Sequence, residues 1–203
     1  MKTRAAKEIA RALIDEGVRY AFGIPGTHNI ELYDVLAGSE GIETVLVTSE
    51  VAGAFVADGY SRSSDDVGVI NVVPGAGVTY SLSGIAEAWM DNVPMVVIAS
   101  GIRTDTSMAY QLHAIDQLAT LRPVTTSAVR VETADAIYPA IRHAFQIAQR
   151  GAPGPAAVEI PAQFLLERQE IGEVGFEPEP ELGLVPEQEL VERAAAMLAN
   201  AQA

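Results

Sequence analysis

A chain of 203 residues, 49% of them hydrophobic, is long enough for one sizeable core with a little length left over. Its 13 basic residues against 27 acidic ones leave a net charge of -14, which argues against nucleic acid or an anionic membrane as partner. The absence of cysteine excludes disulfides and thiolate metal sites, and three scattered histidines lack helical ligand spacing, so no metal site is expected within the chain itself.

The chain opens on an amphipathic stretch with no continuous apolar run, which reads as neither a signal peptide nor a membrane span, and a cytoplasmic protein is expected. Ala6, Ile9, Ala10 and Leu13 mark one face of a first helix, Gly17 stops it, and Val18 to Phe22 reads as a strand. Further strands are expected near Glu43 to Thr48, Val67 to Val73, Met95 to Ala99, Val124 to Val131 and Ala156 to Ile160. Helices are expected near His28 to Leu36, Val51 to Arg62, Thr79 to Met90 and Ala134 to Arg150. Near-continuous apolar strands such as Met95 to Ala99 are what a parallel sheet covered on both faces requires. The expected fold is therefore α/β and doubly wound, with a mainly parallel six-stranded sheet.

Beyond residue 166 the composition changes. Glu167 to Glu189 holds eight glutamates, one arginine and three prolines, and reads as an acidic linker over 167–185. An amphipathic helix then begins after Pro186 and is expected to open a following central domain at 186–203. The first unit is accordingly placed at 1–166.

In an open α/β sheet ligands bind at the carboxyl ends of the strands, which directs attention to three loops. The first, Gly23 to Asn29, contains Pro25-Gly26, which either lets a ligand approach the backbone or simply makes a turn. In the second, Glu50 opens a helix otherwise made of small and apolar residues. Such a glutamate either caps the helix, where acidic residues are favoured by the dipole, or is an enclosed catalytic carboxylate. The third, Asn71 to Tyr80, is Gly-rich and opens a helix, but Tyr80 stands where a dinucleotide fingerprint needs its third glycine, and no acidic residue follows at the right distance. Neither a nucleophile elbow nor a phosphate-binding loop occurs.

Taken in order, Gly23-Ile-Pro-Gly26, Thr48-Ser-Glu50-x-x-Gly-Ala-x-x-Ala-Asp-Gly-Tyr60-Ser-Arg62, Gly75-Ala-Gly77-Val-Thr79, Gly84-Ile-Ala-Glu-Ala88, Asp91-x-x-Pro94 and Gly151-x-Pro-Gly-Pro155 form a set. This set resembles the N-terminal, pyrimidine-binding domain of thiamine diphosphate enzymes such as acetolactate synthases, benzoylformate decarboxylases and pyruvate oxidases. The resemblance covers roughly residues 3 to 165. It implies a lyase or transferase acting on 2-oxo acids, with Glu50 as the carboxylate that meets N1′ of the cofactor's aminopyrimidine. It also implies that Pro25, Gly26, Val73, Ala76 and Gly77 surround the pyrimidine ring, and that Thr27, Asn71 and His113 lie near the substrate.

The same resemblance implies that the cofactor's diphosphate and its Mg2+ are held by a separate diphosphate-binding domain carrying a G-D-G…N motif, which does not occur in these residues. The cofactor site is then completed by that domain of another chain, in a homodimer or tetramer, and the present chain alone is expected to be inactive. Some positions depart from the acetolactate synthase pattern: Ala76 and Tyr80 in the Gly-rich turn, His113-Ala114 before Asp116, and Thr125-Thr126 after Pro123. Two alternatives stand beside the main reading. One is a non-catalytic interaction or regulatory module that keeps the fold; the other is a separately encoded subunit of a sulfopyruvate or phosphonopyruvate decarboxylase-like enzyme.

Overall fold

The computed structural model describes residues 3–107, 111–172, 174–180 and 186–201. In chain order the elements are β1 (Thr3–Arg4), α1 (Ala6–Asp15), β2 (Tyr20–Gly23), α2 (Ile30–Ala37), β3 (Glu43–Leu46), α3 (Glu50–Ser63), β4 (Gly68–Val72), α4 (Ala76–Met90) and β5 (Met95–Gly101). They continue with α5 (Gln117–Leu121), a 3₁₀ turn at Arg122–Val124, β6 (Ser127–Arg130), a 3₁₀ turn at Ala134–Ala136, α6 (Ile137–Gln149), β7 (Pro155–Pro161), α7 (Ala162–Leu166), β8 (Arg168–Gln169) and α8 (Gln188–Ala199). Six strands form one sheet in the order β3-β2-β4-β5-β7-β6, and every pair in it is parallel. The first and last short strands, β1 and β8, make a separate antiparallel pair.

The two-residue period of the strands sorts the core into two layers, as side chains alternate across a sheet. Val69, Val96, Ile98, Val158 and Ile160 face one layer with Ile9 and Leu13 of α1, Leu32 and Leu36 of α2, and Ile141 and Phe145 of α6. Ile70, Val72, Met95, Val97 and Ala157 face the other, with Ala54 and Ala57 of α3, Val78 and Ile85 of α4, and Leu121. Helices thus cover both faces, and all seven residues of β5 are buried, as its unbroken apolar sequence requires. Each large side chain so enclosed stabilises the fold by about 1.5–3 kcal/mol relative to exposure.

Two boundaries differ from expectation for identifiable reasons. Val124 belongs to a 3₁₀ turn rather than to β6, because Pro123 sits in its first turn and has no N–H for a strand ladder. Helix α4 starts at Ala76, three residues earlier than periodicity suggests, since the break falls at Gly75, whose φ of 65° only glycine adopts easily.

Several residues of the recurrent motifs act as ties at the end of α3 away from Glu50. Arg62 donates to the buried Asp58 (2.9 Å) and to Asp91 at the end of α4 (2.7 Å), while Ser61 Oγ donates to the carbonyl of Pro94 (2.8 Å). Past β8, residues 174–180 lie along α1 and α6. Arg11 donates to the carbonyl of Val174 (2.9 Å), Arg142 stands over the Phe176 ring (5.3 Å), and Gln146 and Arg150 grip Glu179. None of the residues of α8 is buried, and part of the expected linker, residues 173 and 181–185, falls outside the described residues.

Candidate active site

The chain order reverses between β2 and β4: from β2 the path runs outward to β3, then returns to pair β4 on the other side of β2. At such a switch point the loops leave for opposite faces and open a crevice at the carboxyl ends of the strands. The loop after β2, the start of α3 and the turn after β4 all meet there.

Glu50 is the first residue of α3 and is half-buried. Ser49 makes no side-chain cap, so the helix starts without help from the residue before it. The neighbour of Glu50 is Gly77 on α4. A Cβ at position 77 would lie 2.8 Å from Val73 Cγ2 and 3.5 Å from Glu50 Oε1, so only a glycine lets α4 pack this closely on the valine beside the carboxylate. Gly26 repeats the arrangement on the opposite side of the same valine, where a Cβ would fall 2.7 Å from Val73 Cγ1. The turn carrying Gly26 is held by Asn29, whose Oδ1 accepts from Gly26 N (2.6 Å) and whose Nδ2 donates to Ile24 O (3.2 Å).

Of the residues expected to form the site, Glu50, Gly26, Val73 and Gly77 are thus gathered round one point. Pro25 and Ala76 are exposed beside them. Asn71, near the end of β4, is 2% exposed and its Oδ1 lies 3.5 Å from Asn29 Nδ2. Thr27 and His113 belong to the mouth: Thr27 Oγ1 is 3.1 Å from His28 Nδ1, and the His28 and His113 rings meet edge to face at 5.7 Å. His113 has a φ of 68° and backs directly onto Gly75, where a Cβ would come within 3.0 Å of its Cα.

Three residues of this neighbourhood were not singled out from the sequence. Buried Gln117 accepts from Gly75 N (3.1 Å) and donates to Ser100 O (3.1 Å), fastening the Gly-rich turn to the end of β5. Tyr33 reaches in from α2, and burial raises its phenol above the ordinary value, opposed by Asn71 and reinforced by the charge of Glu50. His28 is the third. Burial, and then the neighbouring His113, lower its pKa below 6.5. The neutral ring is therefore the form the fold favours, and the stability it contributes is present above the ordinary histidine pKa and lost as pH falls through the lowered one. In an NMR titration of the ring protons His28 should titrate below 6.5. His113→Gln should move it back only partly, because the burial remains; a His28 titrating above 6.5 would contradict the arrangement.

A doubly wound parallel sheet with a single carboxylate opening a helix at its switch point, flanked by glycines, defines a ligand-binding α/β domain. The family model described as "Thiamine pyrophosphate enzyme, N-terminal TPP binding domain" matches residues 3–120, and the chain belongs to that family. It is 38% identical over 160 residues to the acetolactate synthase large subunit of Haemophilus influenzae, covering 79% of this chain and 28% of that protein. It is 36% identical over 160 residues to the acetolactate synthase isozyme 3 large subunit of Escherichia coli, with the same shares covered. A Pseudomonas aeruginosa protein named "Probable 2-ketoarginine decarboxylase AruI" is 36% identical over 165 residues, covering 79% of this chain and 29% of that protein. The chain spans less than a third of the length of these relatives. Among the described residues no helix is long and apolar enough to cross a membrane, and no cluster of three or more potential metal ligands occurs.

Proposed function

We propose that this chain is the cofactor-activating part of a thiamine diphosphate-dependent decarboxylase or carboligase of 2-oxo acids, with Glu50 as its proton-handling carboxylate. The observation that carries the reading is the placement of Glu50 Oε1 beside Gly77, next to Val73, on which Gly77 and Gly26 both pack at glycine-only distance. An aminopyrimidine is flat and carries ring nitrogens at its edge, so this set of residues suits it: Val73, Gly26 and Gly77 flank the ring, and the Glu50 carboxyl shares a proton with N1′. When bound, the cofactor supplies a nucleophilic carbon and an electron sink for decarboxylation. The chain's own part is to hold the ring, to exchange a proton at Glu50, and to shape the mouth with Pro25, Ala76, Thr27, Asn71 and His113, the last three toward the substrate.

Residues 1–166 form the pyrimidine-binding unit in this reading, 167–185 connect it onward, and 186–203 begin the next domain. The diphosphate and Mg2+ fall to a diphosphate-binding domain of another chain. Docking of such a neighbour is consistent with exposed Phe55 and Val56 on α3 and exposed Tyr80, Trp89 and Met90 on α4, an apolar cover that a free monomer rarely shows. Full-length protein should release CO2 from a 2-oxo acid only with thiamine diphosphate and Mg2+ present, and should sediment as a dimer or larger. Turnover that ignores the cofactor, or a strict monomer at high concentration, would overturn the corresponding part.

A further inference from the structure

The side-chain amide of Gln117 joins two parts of the crevice that lie far apart in the chain. Gln117 opens α5 and is 2% exposed; its carbonyl accepts from Gly75 N and its NH2 donates to Ser100 O, both at 3.1 Å. Only one orientation of the amide serves both partners, because turning it over would set acceptor against acceptor and donor against donor. The far anchor is firm, since Ser100 is buried in β5, in register with Ile160 of β7.

Gly75 is the pivot of the turn after β4. Its carbonyl accepts from Thr79 N (2.9 Å) at the start of α4, so with Gln117 on its N–H both of its backbone polar groups are fixed. Val73 lies two residues before the pivot and Gly77 two after, and these are the residues that meet beside Glu50. On its other side Gly75 touches the loop proposed to face the substrate: a Cβ there would fall 3.0 Å from His113 Cα, Cβ and O. Such close packing keeps the two segments in touch, but van der Waals contact has no direction and leaves sliding open. A pair of directional hydrogen bonds to a central strand does not.

We propose that Gln117 is a positioning residue: by tying Gly75 to β5 it sets where Val73 and Gly77 stand relative to Glu50, and so how a cofactor ring lies against the carboxylate. The inference rests on the reading of the site given above. A merely structural Gln117 would satisfy two buried backbone groups, and its loss would cost stability without moving the chemistry.

The test compares full-length wild type with Gln117→Leu and Gln117→Asn. Leucine fills the space without polar atoms, and asparagine keeps the amide but is one methylene short of spanning both partners. At saturating thiamine diphosphate and Mg2+, well below the melting temperature, hydrogen–deuterium exchange at cofactor C2 should fall about tenfold to a hundredfold in both, as for a misplacement of about 1 Å. The KM for the cofactor should rise as kcat falls. A variant that melts lower yet exchanges within about threefold of wild type overturns the proposal, since only stability was served. A second measurement needs no variant and holds even if neither substitution folds. Coupling is reciprocal, so adding thiamine diphosphate and Mg2+ to wild type should slow amide exchange over residues 117–121 by about fivefold or more, the low end of ordinary coupling. An unchanged 117–121 segment overturns it as well. Failure of the cofactor reading would show separately, as wild-type turnover that ignores thiamine diphosphate.

Discussion

Glu50→Gln in the complete enzyme is expected to slow hydrogen–deuterium exchange at C2 of the bound cofactor by about a hundredfold to ten-thousandfold, the usual range for a positioned acid–base group. Glutamine keeps the length and the carbonyl of the side chain, so Gly77 and Val73 keep their neighbour and the start of α3 keeps its shape. What is lost is the ability to take and return a proton. Substrate affinity should change far less, because Thr27, Asn71 and His113, the residues proposed to face the substrate, are untouched. Quenched exchange followed by proton NMR reads activation apart from decarboxylation and release. A rate within about threefold of wild type corresponds to under about 1 kcal/mol and would remove Glu50 from the mechanism. A folded, cofactor-binding variant that has lost exchange would rule out the non-catalytic module at the same time.

The sheet was legible because its signal is local. Short unbroken apolar runs such as Met95 to Ala99 fit strands covered on both faces, and the split of Val69 from Ile70 and Val72 between the two core layers follows from the pleat. Glu50 was legible in a different way. Its position at a helix start is equally what a dipole-favoured cap would show, and only the ordered set of motifs around it singled it out. The remainder of the site was hidden because it depends on three-dimensional convergence. Tyr33 lies on a helix whose pattern gives no reason to look at its hydroxyl, and it reaches the crevice only because Gly23 has no side chain. His28 and His113 are 85 positions apart in the chain and meet through two loops. Helix α5 has five residues, too few for a period to appear, although Asp116, whose Oδ1 accepts from Ala119 N at 3.0 Å, was a readable cap. The hold of α1 and α6 on residues 174–180 runs largely through Arg11, Gln146 and Arg150 gripping backbone and carboxylate oxygens, with Phe176 against the core, which leaves little hydrophobic pattern to detect.

Gly84→Ala is expected to be strongly destabilising, because it adds a methyl to the contact between the two helices beneath Glu50. Helices α3 and α4 touch at this position with no space between them: a Cβ on Gly84 would lie 2.6 Å from Ala54 Cβ and 2.7 Å from both the carbonyl carbon of Ala54 and the amide nitrogen of Phe55. Two of those three atoms are backbone, so rotation of a side chain cannot relieve the contact and the helices themselves must part. Overpacking of this sort costs about 1–3 kcal/mol, and a backbone obstacle places Gly84 at the upper end. For a domain of this size that is a fall in melting temperature of about 6–12 °C. Gly59, on the same helix as Glu50, supplies the contrast. A Cβ there meets nothing within 4 Å, so Gly59→Ala in the isolated chain should stabilise by about 0.4–1 kcal/mol through the unfolded state. The two substitutions add the same atom to the same helix pair, and calorimetry of both separates packing from helix propensity. The loss at Gly84 should also reach the site, since α3 carries Glu50 and α4 carries Gly77, and parting the helices pulls the carboxylate away from the glycine that frames it. A Gly84→Ala protein that melts within about 2 °C of wild type, equivalent to about 0.5–1 kcal/mol at most, would show that α3 and α4 yield at little cost, and that their contact does not fix where Glu50 stands.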